Sequence, residues 1–181
     1  MAYAIIWLTK IASFGLRRMT ETTETVRTFN SPIETGIRAL ILLAESYPMQ
    51  LDLQRLLEFD YIMVHTGDVD GPPSIHPALP LRSGELLVRR ELIERGLMLM
   101  ISRGLVTRHA TPNGFMYQAE DDAGPFLDAL DAEYLADLKD RATWVVERFH
   151  DMGDQDIRLM LTRVYYQWSR EFQIPEQPEL F

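Results

Sequence analysis

Apolar residues recur at helical spacing in two stretches near the start of the chain. The first follows Ser31 and Glu34, which have the spacing of a capping box, and it ends before Pro48. The second opens at Asp52, a residue type that caps helices well, and ends near His65. The pattern predicts two helices, with apolar faces formed by Ile33, Ile37, Leu40, Ile41 and Ala44 in the first and by Leu56, Leu57, Phe59, Tyr61, Ile62 and Val64 in the second.

A third helix is predicted to lead into a β-hairpin. Ser83 can cap it, Gly104 fits the left-handed position that ends many helices, and its apolar side consists of Leu86, Leu87, Ile93, Leu97, Met100 and Ile101. The β-prone segments LVTRH and FMYQA, at 105–109 and 115–119, flank a Pro-Asn-Gly sequence that favours a tight turn. A helix followed by such a hairpin is typical of a winged helix.

The last third of the chain predicts further helices. One begins near Pro125 and breaks near Asp131, and two more are joined by the turn sequence HDMGDQD. Their apolar stripes are Leu135, Leu138, Ala142, Val145 and Phe149 in one and Ile157, Leu161, Val164, Trp168 and Phe172 in the other. We therefore predict a mainly α protein, with a winged-helix-like domain at 29–130 that carries a small β-hairpin wing, and a C-terminal helical hairpin and tail at 131–181.

Residues 1–28 form an N-terminal extension in this prediction. Their apolar part precedes its charged residues instead of following them, and no small-x-small cleavage site closes it, so a signal peptide is not expected. The extension packs on a partner or frays, unless translation begins at Met19. No apolar run approaches the roughly 20 residues that span a bilayer. The chain has no cysteine, which fits a cytoplasmic protein.

Charge is distributed unevenly along the chain. The net charge is −9, and residues 120–181 account for it, with 15 acidic and 6 basic side chains. The last third would therefore repel nucleic acid and attract a basic partner. By contrast, the third helix and the first strand carry three glutamates and six arginines: Arg82, Arg89, Arg90, Arg95, Arg103 and Arg108.

Two interpretations of these arginines remain open. Guanidinium groups suit phosphate, and Arg89, Arg90, Arg95 and Arg103 are predicted to lie on the polar side of the helix, so the element is a candidate DNA-binding surface. Alternatively it is a solvated face with internal pairs, since Glu85–Arg89 and Glu91–Arg95 are four residues apart in the favourable orientation. Aromatic residues near the C-terminus pose a similar choice between core and partner interface, with Tyr166, Trp168 and Phe172 as the interface candidates.

The long connection between the second and third helices contains the chemically most versatile side chains. His65, Asp68, Asp70 and His76 could bind a metal or transfer protons, but their spacing matches no metal motif, and DVDG lacks the later acid of a calcium loop. The alternative is a solvated loop that uses Asp and Gly for its turns. The chain contains no nucleophile elbow, Walker loop or Rossmann glycine pattern, so we expect no catalytic residue, metal or cofactor.

Several long blocks resemble the middle-component family of bacterial three-component ABC systems, which include the Lamassu antiphage defence operons. These blocks are NSPIETGIRALILLAESYP, LDLQRLLEFDYIMVHTGD, GPPSIHPALPLRSGELLVRRELIERGLMLMISRGLV and AGPFLDAL, and the resemblance covers roughly residues 29–150. It implies a non-catalytic adaptor that binds an SMC-like ABC ATPase and an effector, commonly a nuclease, and that contacts DNA through the complex. The family supplies no catalytic residues to carry over.

The competing hypothesis is a free-standing winged-helix transcription regulator. It predicts a symmetric dimer that binds a specific DNA sequence, and the acidic last third argues against it. A third hypothesis, an enzyme that uses the histidines and aspartates of the long connection, predicts a tightly bound metal or loss of activity in a His65→Ala variant.

Overall fold

The computed structural model describes residues 31–77 and 82–171, with the backbone alone for 82–88, 165 and 167–171. The predicted N-terminal extension at 1–28 lies outside these ranges. The described elements, in chain order, are α1 (Pro32–Glu45), β1 (Leu51–Asp52), α2 (Leu53–Val64), a 3-10 turn (Thr66–Val69), α3 (Arg82–Ser102), β2 (Val106–Thr111), β3 (Gly114–Ala119), α4 (Ala123–Asp128), α5 (Glu133–Phe149) and α6 (Asp154–Glu171). The mainly α fold with a β-hairpin after the third helix is confirmed, and this order is consistent with a winged-helix-like domain.

The predicted helix starts are confirmed at two of three places. The Ser31 hydroxyl accepts a hydrogen bond from the Glu34 backbone N–H at 3.2 Å, and the Asp52 carboxylate accepts one from the Arg55 N–H at 2.7 Å. Both bonds satisfy donors that a helix N-terminus leaves unpaired. Ser83 does not cap α3, because that helix already begins at Arg82.

The hairpin of β2 and β3 belongs to a three-stranded antiparallel sheet with the order β1-β3-β2, in which β3 is the central strand. Val106 lies opposite Ala119 and Thr111 opposite Gly114, so the strands pair over their whole length. Gly104 and Gly114 have φ angles of 70° and 124°. A residue with a Cβ atom would be strained in this conformation, so both turns favour glycine. The third strand, β1, was not predicted, because its two residues are too few to show an alternating pattern.

Helices α1 and α3 cross with their backbones in contact. A Cβ atom added to Gly96 would lie 2.5 Å from the Gly36 backbone nitrogen, and one added to Gly36 would lie 2.8 Å from the Gly96 carbonyl oxygen. Only glycine at both positions allows this approach. The contact therefore fixes where α3, and the wing that follows it, stand relative to α1.

The C-terminal helical hairpin packs onto the other helices. Helix α5 contacts α1 and α2, and α6 contacts α2. The predicted stripe of α5 is buried throughout, and the first three residues of the α6 stripe, Ile157, Leu161 and Val164, are buried as well. The side chain of Trp168 and all of Phe172 lie outside the described residues.

Candidate functional site on the third helix and the wing

Arg89 does not lie on the solvent-exposed side of α3. It is only 2% exposed, and its Nη1 donates to Asp60 Oδ2 on α2 at 2.7 Å. The prediction that Arg89 lies on the polar side of α3 is therefore wrong. The physical reason is a partner carboxylate 29 residues away in sequence, which lets an arginine occupy a position that the helical pattern would give to an apolar residue.

Asp60 also binds a second buried arginine. Arg38 of α1 is fully buried, and its Nε and Nη2 donate to the two carboxylate oxygens of Asp60 at 2.7 and 3.1 Å. This two-point geometry is the strongest form of an arginine–carboxylate pair. The Arg38 Nη1 donates in turn to Glu34 Oε1 at 3.1 Å.

The hydrogen bonds continue to two further elements. The Tyr134 hydroxyl on α5 donates to Glu34 Oε1 at 3.2 Å, and His76 Nε2 lies 2.9 Å from the same hydroxyl. These contacts join α1, α2, α3, α5 and the connection before α3. We call the set the buried charge network: Glu34, Arg38, Asp60, His76, Arg89 and Tyr134.

The network perturbs the protonation equilibria of its members. Burial disfavours the Asp60 carboxylate, but Arg38 and Arg89 outweigh burial and hold its pKa below the usual value. Burial raises the pKa of Glu34, against the opposing effects of Arg38 and Tyr134. Burial and the charges of Arg38 and Arg89 lower the pKa of His76 to about 4. His76 is therefore neutral at physiological pH.

Of the residues proposed above for a metal or for proton transfer, the structure brings the rings of His65 and His76 together, edge to face, with their centres 6.0 Å apart. Asp68 accepts a hydrogen bond from the Tyr61 hydroxyl at 2.8 Å, and Asp70 ends the 3-10 turn in a left-handed conformation with φ 58°. His65 is buried, while His76 belongs to the network. Within residues 31–77 and 82–171, no group of three or more His, Asp or Glu side chains is placed to hold a metal ion.

The solvent-exposed side of α3 is electrically compensated. Arg90 Nε lies 3.3 Å from Glu94 Oε1, and Arg95 Nη2 lies 2.6 Å from Glu91 Oε1. The predicted Glu91–Arg95 pair is thus confirmed. Because Arg89 is buried against Asp60, these pairs leave the exposed side of α3 without net charge between residues 89 and 102. The Arg82 side chain lies outside the described residues.

Two exposed arginines of the predicted set remain uncompensated, Arg103 and Arg108. In the described part of the chain, no carboxylate lies within ion-pair distance of either. The Arg108 guanidinium carbon lies 4.4 Å from the centre of the Phe115 ring, a cation–π contact between neighbouring strands of the wing. Phe115 is 50% exposed despite this contact.

The exposed side of α3 and the wing form one surface. Arg108 is directly opposite Tyr117 in the sheet. Burial raises the pKa of Tyr117, and the nearby charges of Arg108, Glu94 and Arg90 also shift this pKa. Helix α3 contacts β2, the strand that carries Arg108. Met98, one turn after Glu94, is 55% exposed. We call this set the wing surface: Arg90, Glu94, Met98, Arg108 and Phe115.

A second exposed apolar pair lies on α6. Leu159 and Tyr166 are 57% and 66% exposed, and seven residues separate them, so they lie on the same side of the helix. That side is opposite Ile157, Leu161 and Val164, which face the core. We call it the outer face of α6. It contains Tyr166, the one predicted interface residue whose side chain the structure describes.

Family comparison accounts for most of the chain. The model of the family described as "ABC-three component (ABC-3C) system Middle Component 2" matches residues 28–171. No curated protein and no solved structure is similar enough to this chain to match it. Among the described helices, none has the length and apolar character needed to cross a membrane. The chain therefore belongs to the Middle Component 2 family of ABC-three component systems.

Proposed function

We propose that the protein is a non-catalytic accessory subunit that bridges the ABC ATPase and the effector of its system. Family membership carries this proposal, because a middle component works together with other subunits. A bridging subunit needs two separate binding surfaces. Two sets of exposed apolar side chains among the described residues support the proposal, the wing surface on α3 and the hairpin and the outer face of α6.

The specific system that we propose is of the Lamassu type. Its ATPase is SMC-like, its effector is a nuclease, and the subunit helps to restrain the effector until foreign DNA is sensed. The resemblance of the sequence blocks around α1, α2 and α3 supports this assignment. The acidic last third, which contains α5 and α6, supports a basic protein partner there.

The absence of a catalytic role is part of the proposal. The buried carboxylates of Asp60 and Glu34 support it, because both are engaged in the charge network, where they bind Arg38. They hold helices together and are shielded from substrate. A His65→Ala variant that folds should therefore retain full defence activity, and a loss of activity with an intact complex would indicate an enzyme.

The test is purification of a tagged chain from cells that express the whole operon, followed by mass determination of the intact complex. We expect the ATPase and the effector to be recovered with the chain in fixed ratios. Sequencing of the recovered subunits then tests the Lamassu assignment, which requires coiled-coil arms in the ATPase and a nuclease in the effector. Recovery of a homodimer alone would contradict the proposal and favour the transcription regulator.

A further inference from the structure

We propose that the wing surface binds a segment of a partner protein in which a carboxylate lies next to an apolar side chain. This inference rests on the proposed bridging function and specifies the chemistry of one of its two surfaces. The partner is one of the two other subunits of the system. The competing occupant is nucleic acid, which the arginine count of this region alone would favour.

The apolar part of the surface requires a partner that can cover it. Met98 on α3 and Phe115 on β3 are 55% and 50% exposed. Scattered single apolar residues are common on protein surfaces. Here, however, a methionine and an aromatic ring accompany arginines, which is the residue composition typical of protein interfaces. Methionine also adapts its shape to a partner side chain.

The cationic part of the surface selects a carboxylate. Arg108 lies over the Phe115 ring at 4.4 Å, which orients the guanidinium before any partner arrives. Since no carboxylate of the described residues pairs with Arg108, its charge is available to a partner. A planar guanidinium binds a carboxylate through two parallel hydrogen bonds. An acidic side chain flanked by an apolar one would thus match both Arg108 and Phe115.

Charge compensation on α3 argues against nucleic acid. A phosphate backbone laid along this helix would meet the carboxylates of Glu91 and Glu94 as well as Arg90 and Arg95. Affinity for DNA requires several uncompensated cations, because each neutralised phosphate releases counterions. Between residues 89 and 111, only Arg103 and Arg108 meet this condition.

The test compares variants of the full-length chain, each co-expressed with the two other subunits of its operon. Arg108→Glu reverses the proposed contact, and Phe115→Ala and Met98→Ala remove the apolar part. Arg148→Glu is the matched control, because Arg148 is also an exposed arginine near an aromatic ring, 6.0 Å from the centre of Trp144, but lies on α5. Urea unfolding of each purified variant verifies that the fold is intact.

Two quantities are measured for each variant: the affinity for the purified partner subunit, and the affinity of the assembled complex for double-stranded DNA near physiological salt. We expect Arg108→Glu and Phe115→Ala to weaken partner binding about tenfold or more, and Arg148→Glu to change it less than about twofold. We expect a smaller loss for Met98→Ala, because this substitution leaves the Arg108–Phe115 contact in place. Replacement of the partner's carboxylate by lysine should restore binding of Arg108→Glu.

Several outcomes would overturn the inference. If Arg108→Glu leaves assembly intact but weakens DNA binding, the wing surface is a nucleic-acid surface. If neither affinity changes, the surface has no occupant in the complex. In both cases the bridging function survives, with its contacts elsewhere. If the wild-type chain recovers no partner at all, the proposed function fails first, and this inference fails with it.

Discussion

Arg89 and Arg90 are neighbours in the sequence, but α3 directs them into opposite environments. Arg89 points into the protein and binds Asp60 of α2, whereas Arg90 is exposed and pairs with Glu94 one turn later. The buried side of α3 is thus defined by partners on other helices. The exposed side is compensated locally. The number of arginines in this segment therefore does not indicate how many are exposed, because some of them support the fold from inside.

The same contrast extends beyond the two arginines. The buried side of α3 includes Gly96, which touches the backbone of α1, and the exposed side includes Met98 on the wing surface. Mutations on the buried side should therefore change stability, and mutations on the exposed side should change binding. Paired substitutions on the two sides test this division.

The largest difference is expected between Arg89→Met and Arg90→Met. Loss of the Arg89 guanidinium leaves a buried oxygen of Asp60 without this cation, so the free energy of unfolding should fall by about 3 kcal/mol. Arg90→Met removes one exposed pair and should change it by less than about 0.5 kcal/mol. Urea denaturation followed by circular dichroism measures both. If both substitutions lowered the free energy of unfolding equally, the buried Arg89–Asp60 ion pair would not stabilise the protein in solution.

The helix crossing is tested by Gly96→Ala. The added methyl group would lie within 2.7 Å of the Gly36 nitrogen and Cα, so α1 and α3 must separate, at a cost of about 2 kcal/mol. Gly124→Ala in α4 is the control, because an added Cβ meets nothing within 4 Å there and alanine favours helix. Thermal unfolding of both variants should show a lower midpoint for Gly96→Ala alone.

The charge network should make stability dependent on pH through His76. Its pKa is about 4 in the folded protein, against about 6.5 when unfolded, so the unfolded chain binds the proton first. The contribution of neutral His76 is complete above pH 6.5 and is lost as the pH falls towards 4. The lowered pKa of Asp60 acts in the same direction at lower pH, and the raised pKa of Glu34 opposes it.

A His76→Gln variant isolates this contribution. Asp60 and Glu34 titrate in both proteins, so the difference between them reports on His76. Between pH 6.5 and 4 the wild type should lose roughly 1–2 kcal/mol more stability than the variant, after allowance for the partial exposure of the ring. Urea midpoints measured at half-unit pH intervals test this. If the urea midpoints of the two proteins fell in parallel with pH, protonation of His76 would not lower the free energy of unfolding.

The smallest effect is expected at the exposed Glu91–Arg95 pair. Its partners are on the surface, so Arg95→Gln should lower the free energy of unfolding by about 0.5 kcal/mol or less. Most of that difference should disappear when unfolding is measured in 1 M NaCl, because salt screens exposed charges. A larger effect that persists in salt would indicate that the exposed side of α3 contributes to the fold.

Local features of the fold could be predicted from the sequence because their causes are local. The caps at Ser31 and Asp52 follow from hydrogen bonds across three residues, and the hairpin follows from the Pro-Asn-Gly turn. The buried stripe of α5 follows from helical periodicity. The Glu91–Arg95 pair is of the same kind, since its partners are one helical turn apart.

Features of the site that depend on distant residues could not be predicted in this way. Nothing near Arg89 or Arg38 in the sequence indicates that both bind Asp60, and the contact of Gly36 with Gly96 spans 60 residues of chain. Arg90 and Arg108 of the wing surface were predicted as site residues, but its apolar part was not, because Arg108 and Phe115 are brought together only by strand register. Each of these contacts exists only after the helices and strands have packed.

Local sequence patterns specify which segments become helices, where the hairpin turns and which family the blocks resemble. Which arginines are buried and which stay exposed depends on how the helices and strands pack. The physical reason is that a buried charge is tolerated only beside an opposite charge, and that partner can come from any element in the fold. Asp60 supplies it here, and so Arg89 supports the fold while Arg108 remains on the surface.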